Sequence, residues 1–161
     1  MSLDIFTEKG QESVRQEQNA IFLFHDAYPD WKYIETPKNS PCAADGFLAK
    51  NNVLCGVVET KCRDMTIEQF DKFNLEWLVT MQKIIDCVKI AESLHVHLFG
   101  FLYLIPSKML LIKKIWDNKE GFVVDFNVIK SETQATINGG TAIRSNAYIK
   151  MNDATILEDK F

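Results

Sequence analysis

Residues 41–63 read PCAADGFLAKNNVLCGVVETKCR. Two mostly apolar arms, 43–49 and 53–62, flank the polar triplet Lys50-Asn51-Asn52, and the second arm is rich in Val, Leu and Cys. This pattern predicts a β-hairpin with its turn at the triplet. Side chains alternate along a strand, which puts Val53, Cys55, Val57, Glu59 and Lys61 on one face and Leu54, Val58, Thr60 and Cys62 on the other. Glu59 and Lys61 then project side by side from the end of an apolar strand, where burying charge is costly unless it is paired or binds an ion. Asp45 precedes Glu59 by fourteen residues, and a hairpin of the right register brings the two carboxylates together. Carboxylates that close repel, and a divalent cation relieves the repulsion by taking the hard oxygen ligands that Mg²⁺ prefers.

The arrangement Asp45…Glu59-Thr60-Lys61 resembles the PD-(D/E)XK nuclease superfamily, which includes restriction endonucleases, Holliday-junction resolvases and phage exonucleases. The tripeptide alone is weak, since acid-x-Lys recurs as Asp30-Trp31-Lys32, Asp117-Asn118-Lys119 and Glu158-Asp159-Lys160. Only Glu59 closes an apolar strand with an acid on the preceding arm. Pro41 departs from the pattern by standing four residues before Asp45.

The resemblance implies a restriction-endonuclease-like α/β sandwich, a mixed central sheet flanked by helices, over a core of about 7–116. It further implies metal-assisted phosphodiester hydrolysis, with Mg²⁺ (or Mn²⁺ as a substitute) held by Asp45, Glu59 and the Thr60 carbonyl. Lys61 then positions the attacking water or stabilises the transition state. The superfamily also places a glutamate on the helix before the hairpin, which is matched here to Glu12, with Glu8 second. Some of its members use a Gln or Lys from the following helix, which makes Gln82 a candidate. Arg63, Lys83 and Arg144 are the candidates for contacts to backbone phosphates.

Around the hairpin, Thr7 is a plausible N-cap for a helix over 7–24, and 31–35 is a possible strand bracketed by Pro29 and Pro37. Thr66 with Gln69 forms a capping-box signature opening a helical region to about 93, with a break near Asn74. Its apolar stripe is Leu75, Leu78, Val79, Ile85, Val88, Ala91 and Leu94. The segment 95–105, HVHLFGFLYLI, is apolar on both faces and reads as a central strand, followed by a strand over 109–116. His95-x-His97 lacks neighbours to complete a zinc set. A β-rich extension over 126–151 contains Asn138-Gly139-Gly140, a hairpin turn, then Arg144 and Asn146 with equal parity. That polar side is the plain surface of a β-hairpin, a wall of a substrate groove that approaches the phosphate backbone, or an assembly element of a homo-oligomer.

At 161 residues, 47% hydrophobic and 25% charged, the chain fits one globular domain over 1–161. No signal peptide or membrane span is indicated. Cys42, Cys55, Cys62 and Cys87 lack C-x-x-C spacing and read as buried thiols of a reducing, cytoplasmic protein. The net charge of −4 argues mildly against a nucleic-acid partner, although a local basic stripe is compatible with it. With no module for reading base sequence, a structure-selective nuclease or an exonuclease acting on DNA is the favoured reading. Its alternatives are a non-catalytic domain of the same fold that binds nucleic acid or protein, and a different hydrolase built on His95 and His97.

Overall fold

Thr7 caps the first helix, α1 (Glu8–Ala27), by accepting from Gly10 N at 3.0 Å, and Pro29 follows two residues after its end. The computed structural model describes residues 6–38, 42–132 and 143–159. After α1 come β1 (Trp31–Glu35), β2 (Gly46–Lys50), β3 (Val53–Arg63), α2 (Ile67–Lys72), β4 (Glu76–Thr80) and α3 (Met81–Leu94). The remainder is β5 (His97–Leu104), β6 (Met109–Asp117), β7 (Gly121–Phe122), β8 (Phe126–Glu132), β9 (Ile143–Lys150) and β10 (Thr155–Glu158). The architecture is mixed α/β with a mostly sheet core.

The main sheet runs β1-β2-β3-β5-β6-β10, with β7 beside β6. It is mixed, because β3 and β5 are parallel while its other pairs are antiparallel. Strand β5 lies inside it and buries both faces, as its uninterrupted apolar run predicts. On one face α1 packs Ala20, Ile21, Leu23 and Phe24 against Val58, Phe101 and Tyr103. On the other, Ile84, Cys87 and Ala91 of α3 join Trp77, Val79, Ala147 and Ile149 against Val57, Leu98, Leu102 and Ile115. The result is three layers around two hydrophobic seams.

The hairpin forms with a two-residue turn. Asn51 and Asn52 both have positive φ (52° and 62°), which Asn tolerates better than most residues, and Lys50 pairs with Val53 across the turn. The register then shifts: Ala49 faces Leu54 and Leu48 faces Gly56, leaving Cys55 as the extra residue of a β-bulge. The simple alternation expected for β3 therefore breaks at Cys55. This residue packs with the α1 seam, whereas Leu54 joins Val57 in the α3 seam.

The expected helix of about 67–93 is divided. The Thr66–Gln69 capping box is present, with Gln69 N to Thr66 Oγ1 at 3.1 Å and Thr66 N to Gln69 Oε1 at 2.8 Å. Asn74 and Leu75 then take positive φ and end the helical path. Residues 76–80, EWLVT, form a strand in which Trp77 and Val79 are buried and Leu78 is exposed, a period of two in place of the expected stripe. The partner that draws them into a strand is β9, in the small antiparallel sheet β4-β9-β8. The β-rich extension thus packs on the core, and β10 rejoins the main sheet beside β6. The turn at Asn138-Gly139-Gly140 lies outside the described residues.

Gly100 of β5 sits under Trp77, where a Cβ would meet the indole at 2.4 Å and Ile115 at 2.7 Å. Both neighbours are fully enclosed and cannot yield cheaply. Gly100→Ala is expected to destabilise the fold by about 1–3 kcal/mol, read as a lower urea midpoint with an unchanged slope.

Candidate functional site

The bulge decides which side chains meet. A two-residue turn pairs positions separated by an odd number of residues, so an unbroken ladder would set Asp45 opposite Val58, on the wrong face. With Cys55 inserted, Gly46 pairs with Val58 and Asp45 falls in line with Glu59. The Asp45 backbone N–H donates to Val58 O at 3.1 Å, and Asp45 Oδ2 accepts from Thr60 N at 2.8 Å. The N–H and C=O of one strand residue point to the same edge, so the Thr60 carbonyl also faces the Asp45 side of β3, away from β5.

Glu59 is fully enclosed beneath α3. Its Oε1 lies 3.1 Å from Lys61 Nζ, without a well-directed hydrogen bond, and its Oε2 lies 3.9 Å from Lys83 Nζ. Asp45 lies in line with Glu59 across the hairpin, so that its charge acts on the Glu59 carboxylate. Burial, then the Asp45 charge, push the Glu59 pKa from an ordinary 4.5 up to about 7, against the opposing pull of Lys61 and Lys83. Burial also works against the Lys61 charge, but Glu59 and Asp45 outweigh it and hold the pKa of Lys61 above its ordinary value. Cys87 Sγ stands 4.0 Å from Glu59 Oε2 and donates to Ala43 O at 3.3 Å. Burial followed by the two carboxylates pushes that thiol up to about 12, so it stays protonated and is no nucleophile at neutral pH.

Asp45, Glu59, Thr60 and Lys61 therefore come together as the sequence suggested, and Lys83 joins them by reaching down to Glu59. The other candidates stand elsewhere. Glu12 is exposed on α1 and held by Arg15 Nε at 2.8 Å and Gln16 Nε2 at 2.6 Å instead of approaching Glu59. Glu8 is exposed in the first turn of α1. Gln82 is exposed and donates along its own helix to Asp86 at 2.9 Å. Arg63 donates to the Leu78 carbonyl at 3.1 Å and the Cys62 carbonyl at 3.3 Å, tying β3 to β4. Arg144 and Asn146 belong to β9 in the small sheet, where Arg144 pairs in register with Ser131 and Asn146 donates to Ser131 Oγ at 2.8 Å.

The α1 acid that faces this region is Glu17. It pairs with Lys38 at 2.9 Å, both half-buried, and Lys38 also feels the Asp45 charge. Its signal was present in the spacing: Gly10, Glu17, Ala20, Ile21 and Phe24 share the stripe that the helix buries, apart from the half-buried Glu17. An acid on an apolar stripe is a better candidate than one in a solvated first turn.

The histidine alternative finds no common centre. His95 is exposed, left-handed (φ 55°) and closes α3, while His97 Nδ1 accepts from Asn118 N at 3.3 Å and lies 3.4 Å from Asp117. Among the described residues no three His, Cys, Asp or Glu side chains are gathered to hold a metal ion, and no helix is long and apolar enough to cross a membrane. Of the four thiols, Cys87 is buried, Cys55 and Cys62 are half-buried, and Cys42 is exposed, contrary to expectation. No protein-family model matches the chain, and no curated protein matches it.

The Glu59 environment has a pH signature. Between about 4.5 and 7 the folded protein holds a proton that the unfolded chain releases, so stability falls as pH rises through this window and levels off above it. The total loss is on the order of 3 kcal/mol. Urea midpoints measured with chelator across this range should show the decline, and Glu59→Gln should flatten it and be the more stable form at pH 8.

Proposed function

We propose that this chain is a metal-dependent nuclease with a restriction-endonuclease-like core, hydrolysing phosphodiester bonds of nucleic acid, DNA foremost, by structure-selective or exonucleolytic cleavage. The observation that carries the reading is the bulged register that sets Asp45 and Glu59 together beside Lys61, with one Glu59 oxygen buried and lacking a hydrogen bond. Stability alone does not call for this set, because hydrophobic residues of similar volume would fill the space without the desolvation penalty.

The donor chemistry fits Mg²⁺, or Mn²⁺ in its place. Two carboxylates and the Thr60 carbonyl offer hard oxygens only, and an ion that keeps several of its waters needs no more protein ligands than these. A three-ligand cage of the kind zinc requires is not assembled among the described residues. When bound, the metal would supply a more acidic water and neutralise charge on the phosphate. Asp45 is oriented for its part by the Thr60 N–H, and Glu59 is held rigid by complete burial. Lys61, half-exposed above Glu59, is placed to position the attacking water or to stabilise negative charge on a phosphate oxygen. Its ammonium stays charged at neutral pH because both carboxylates favour that form.

The experiment is cleavage of a panel of single-stranded, duplex, flapped and branched DNA and RNA with Mg²⁺ or Mn²⁺. Cleavage is expected in the metal and not in chelator, and Glu59→Gln and Lys61→Ala should each lower it by roughly 100-fold or more. Activity unchanged in both variants would reduce the constellation to a buried charge pair. Binding is expected to weaken steeply with salt, because phosphate contacts release counterions even from a protein with a net charge of −4. Filter binding at several salt concentrations measures that slope, and a flat response in metal speaks for a protein-binding role.

A further inference from the structure

We propose that Lys83 is a resident counter-ion of the site: it neutralises Glu59 when no divalent cation is bound, and metal binding displaces it. The inference rests on the metal reading above and concerns how that same site is regulated.

Glu59 carries an ammonium on each oxygen, Lys61 at 3.1 Å and Lys83 at 3.9 Å. The two cations are held differently. Lys61 springs from β3, two residues from Glu59, and its strand is fixed in the sheet by β5. Lys83 reaches down from α3 on a four-carbon stem, is the more exposed of the two, and at 3.9 Å makes an ion pair without a hydrogen bond. It is the one free to leave.

Helix stability does not explain the placement of Lys83. It stands in the first turn of α3, where the macrodipole disfavours positive charge. That turn contains no acidic residue, and the N-cap Thr80 makes no side-chain capping bond. The charge is compensated across the interface by Glu59. One turn further along α3, Cys87 lies against the same oxygen as a neutral thiol and offers no second counter-charge.

With both acids ionised, Asp45 and Glu59 against Lys61 and Lys83 balance to zero. Adding a divalent cation between the carboxylates sets it against two ammonium groups, and the repulsion expels the one that is hydrated at least cost. Lys83 would then turn outward to solvent, where a phosphate can receive it. A phosphate contact made by Lys83 would thus be created by metal binding and be absent before it.

The test is isothermal titration of Mn²⁺ into the full chain at one pH. Lys83→Met keeps the stem and removes the charge, and it is expected to tighten Mn²⁺ roughly 5- to 10-fold, the Coulomb repulsion being discounted for partial exposure. Lys83→Arg keeps the charge and should stay within about twofold of the parent. Lys83→Gln is titrated as well, so that a fold-specific failure of the Met variant leaves a second neutral side chain to read. Equal or weaker Mn²⁺ binding in the folded neutral variants overturns the proposal while leaving the metal site standing. A folded parent that binds neither Mn²⁺ nor Mg²⁺, or a Glu59→Gln variant that binds Mn²⁺ as the parent does, overturns the metal reading itself and this inference with it.

Discussion

Glu59 presents a carboxylate with no exposed surface beside a second carboxylate, and the neighbouring groups are arranged to answer that charge. Desolvation and repulsion both oppose ionisation. Against them the fold brings an ammonium from the same strand, another from the helix above, and a backbone N–H that occupies Asp45. The balance keeps Glu59 titrating near neutrality instead of at the usual carboxylate pH. Such a group is sensitive to any cation that approaches it, which is the property a metal site requires and a packing core does not.

The constraint that makes this pairing possible is a count of residues. Fourteen positions separate Asp45 from Glu59, an even number, and a two-residue turn joins partners separated by an odd one. Cys55 supplies the difference. Its displacement also reassigns Leu54 to the α3 seam and Cys55 to the α1 seam, so the irregularity is absorbed by packing on both sides. Gly56 follows at the point where Phe99 presses on the strand, and a side chain there would collide with the ring at 2.8 Å. The bulge, the glycine and the aromatic therefore act as one unit that aims the acids.

Much of the fold could be read from local pattern. The hairpin, the Thr7 and Thr66 caps, and the doubly apolar β5 are each written in a few adjacent residues. The pattern failed where a distant partner decided the outcome: 76–80 carries enough apolar residues for a helical stripe, and only β9, some seventy positions later, makes it a strand. In the site, the carboxylate pair and Lys61 were legible because they lie on one hairpin. The ion pair of Lys83 with Glu59 was not legible, because nothing in the sequence says which residue lies beneath a helix. Glu17 was overlooked for a different reason: charge at a helix start, as at Glu8 and Glu12, is conspicuous, whereas an acid on the buried stripe is visible only when the whole helix is laid out by turn.

The late arrival of β9 also orders the chain in time. Trp77 pairs across the small sheet with Ile149, so during synthesis the indole emerges long before the strand that covers it. Until then Trp77 can cover Gly100 of β5 but lacks its own sheet neighbour. The small sheet beside α3 is therefore completed late, with only β10 to follow it in the chain. A ribosome-bound chain ending before β9 already contains every group recorded around Glu59, namely Asp45, Lys61, Lys83 and Cys87, while Trp77 still waits for its partner strand.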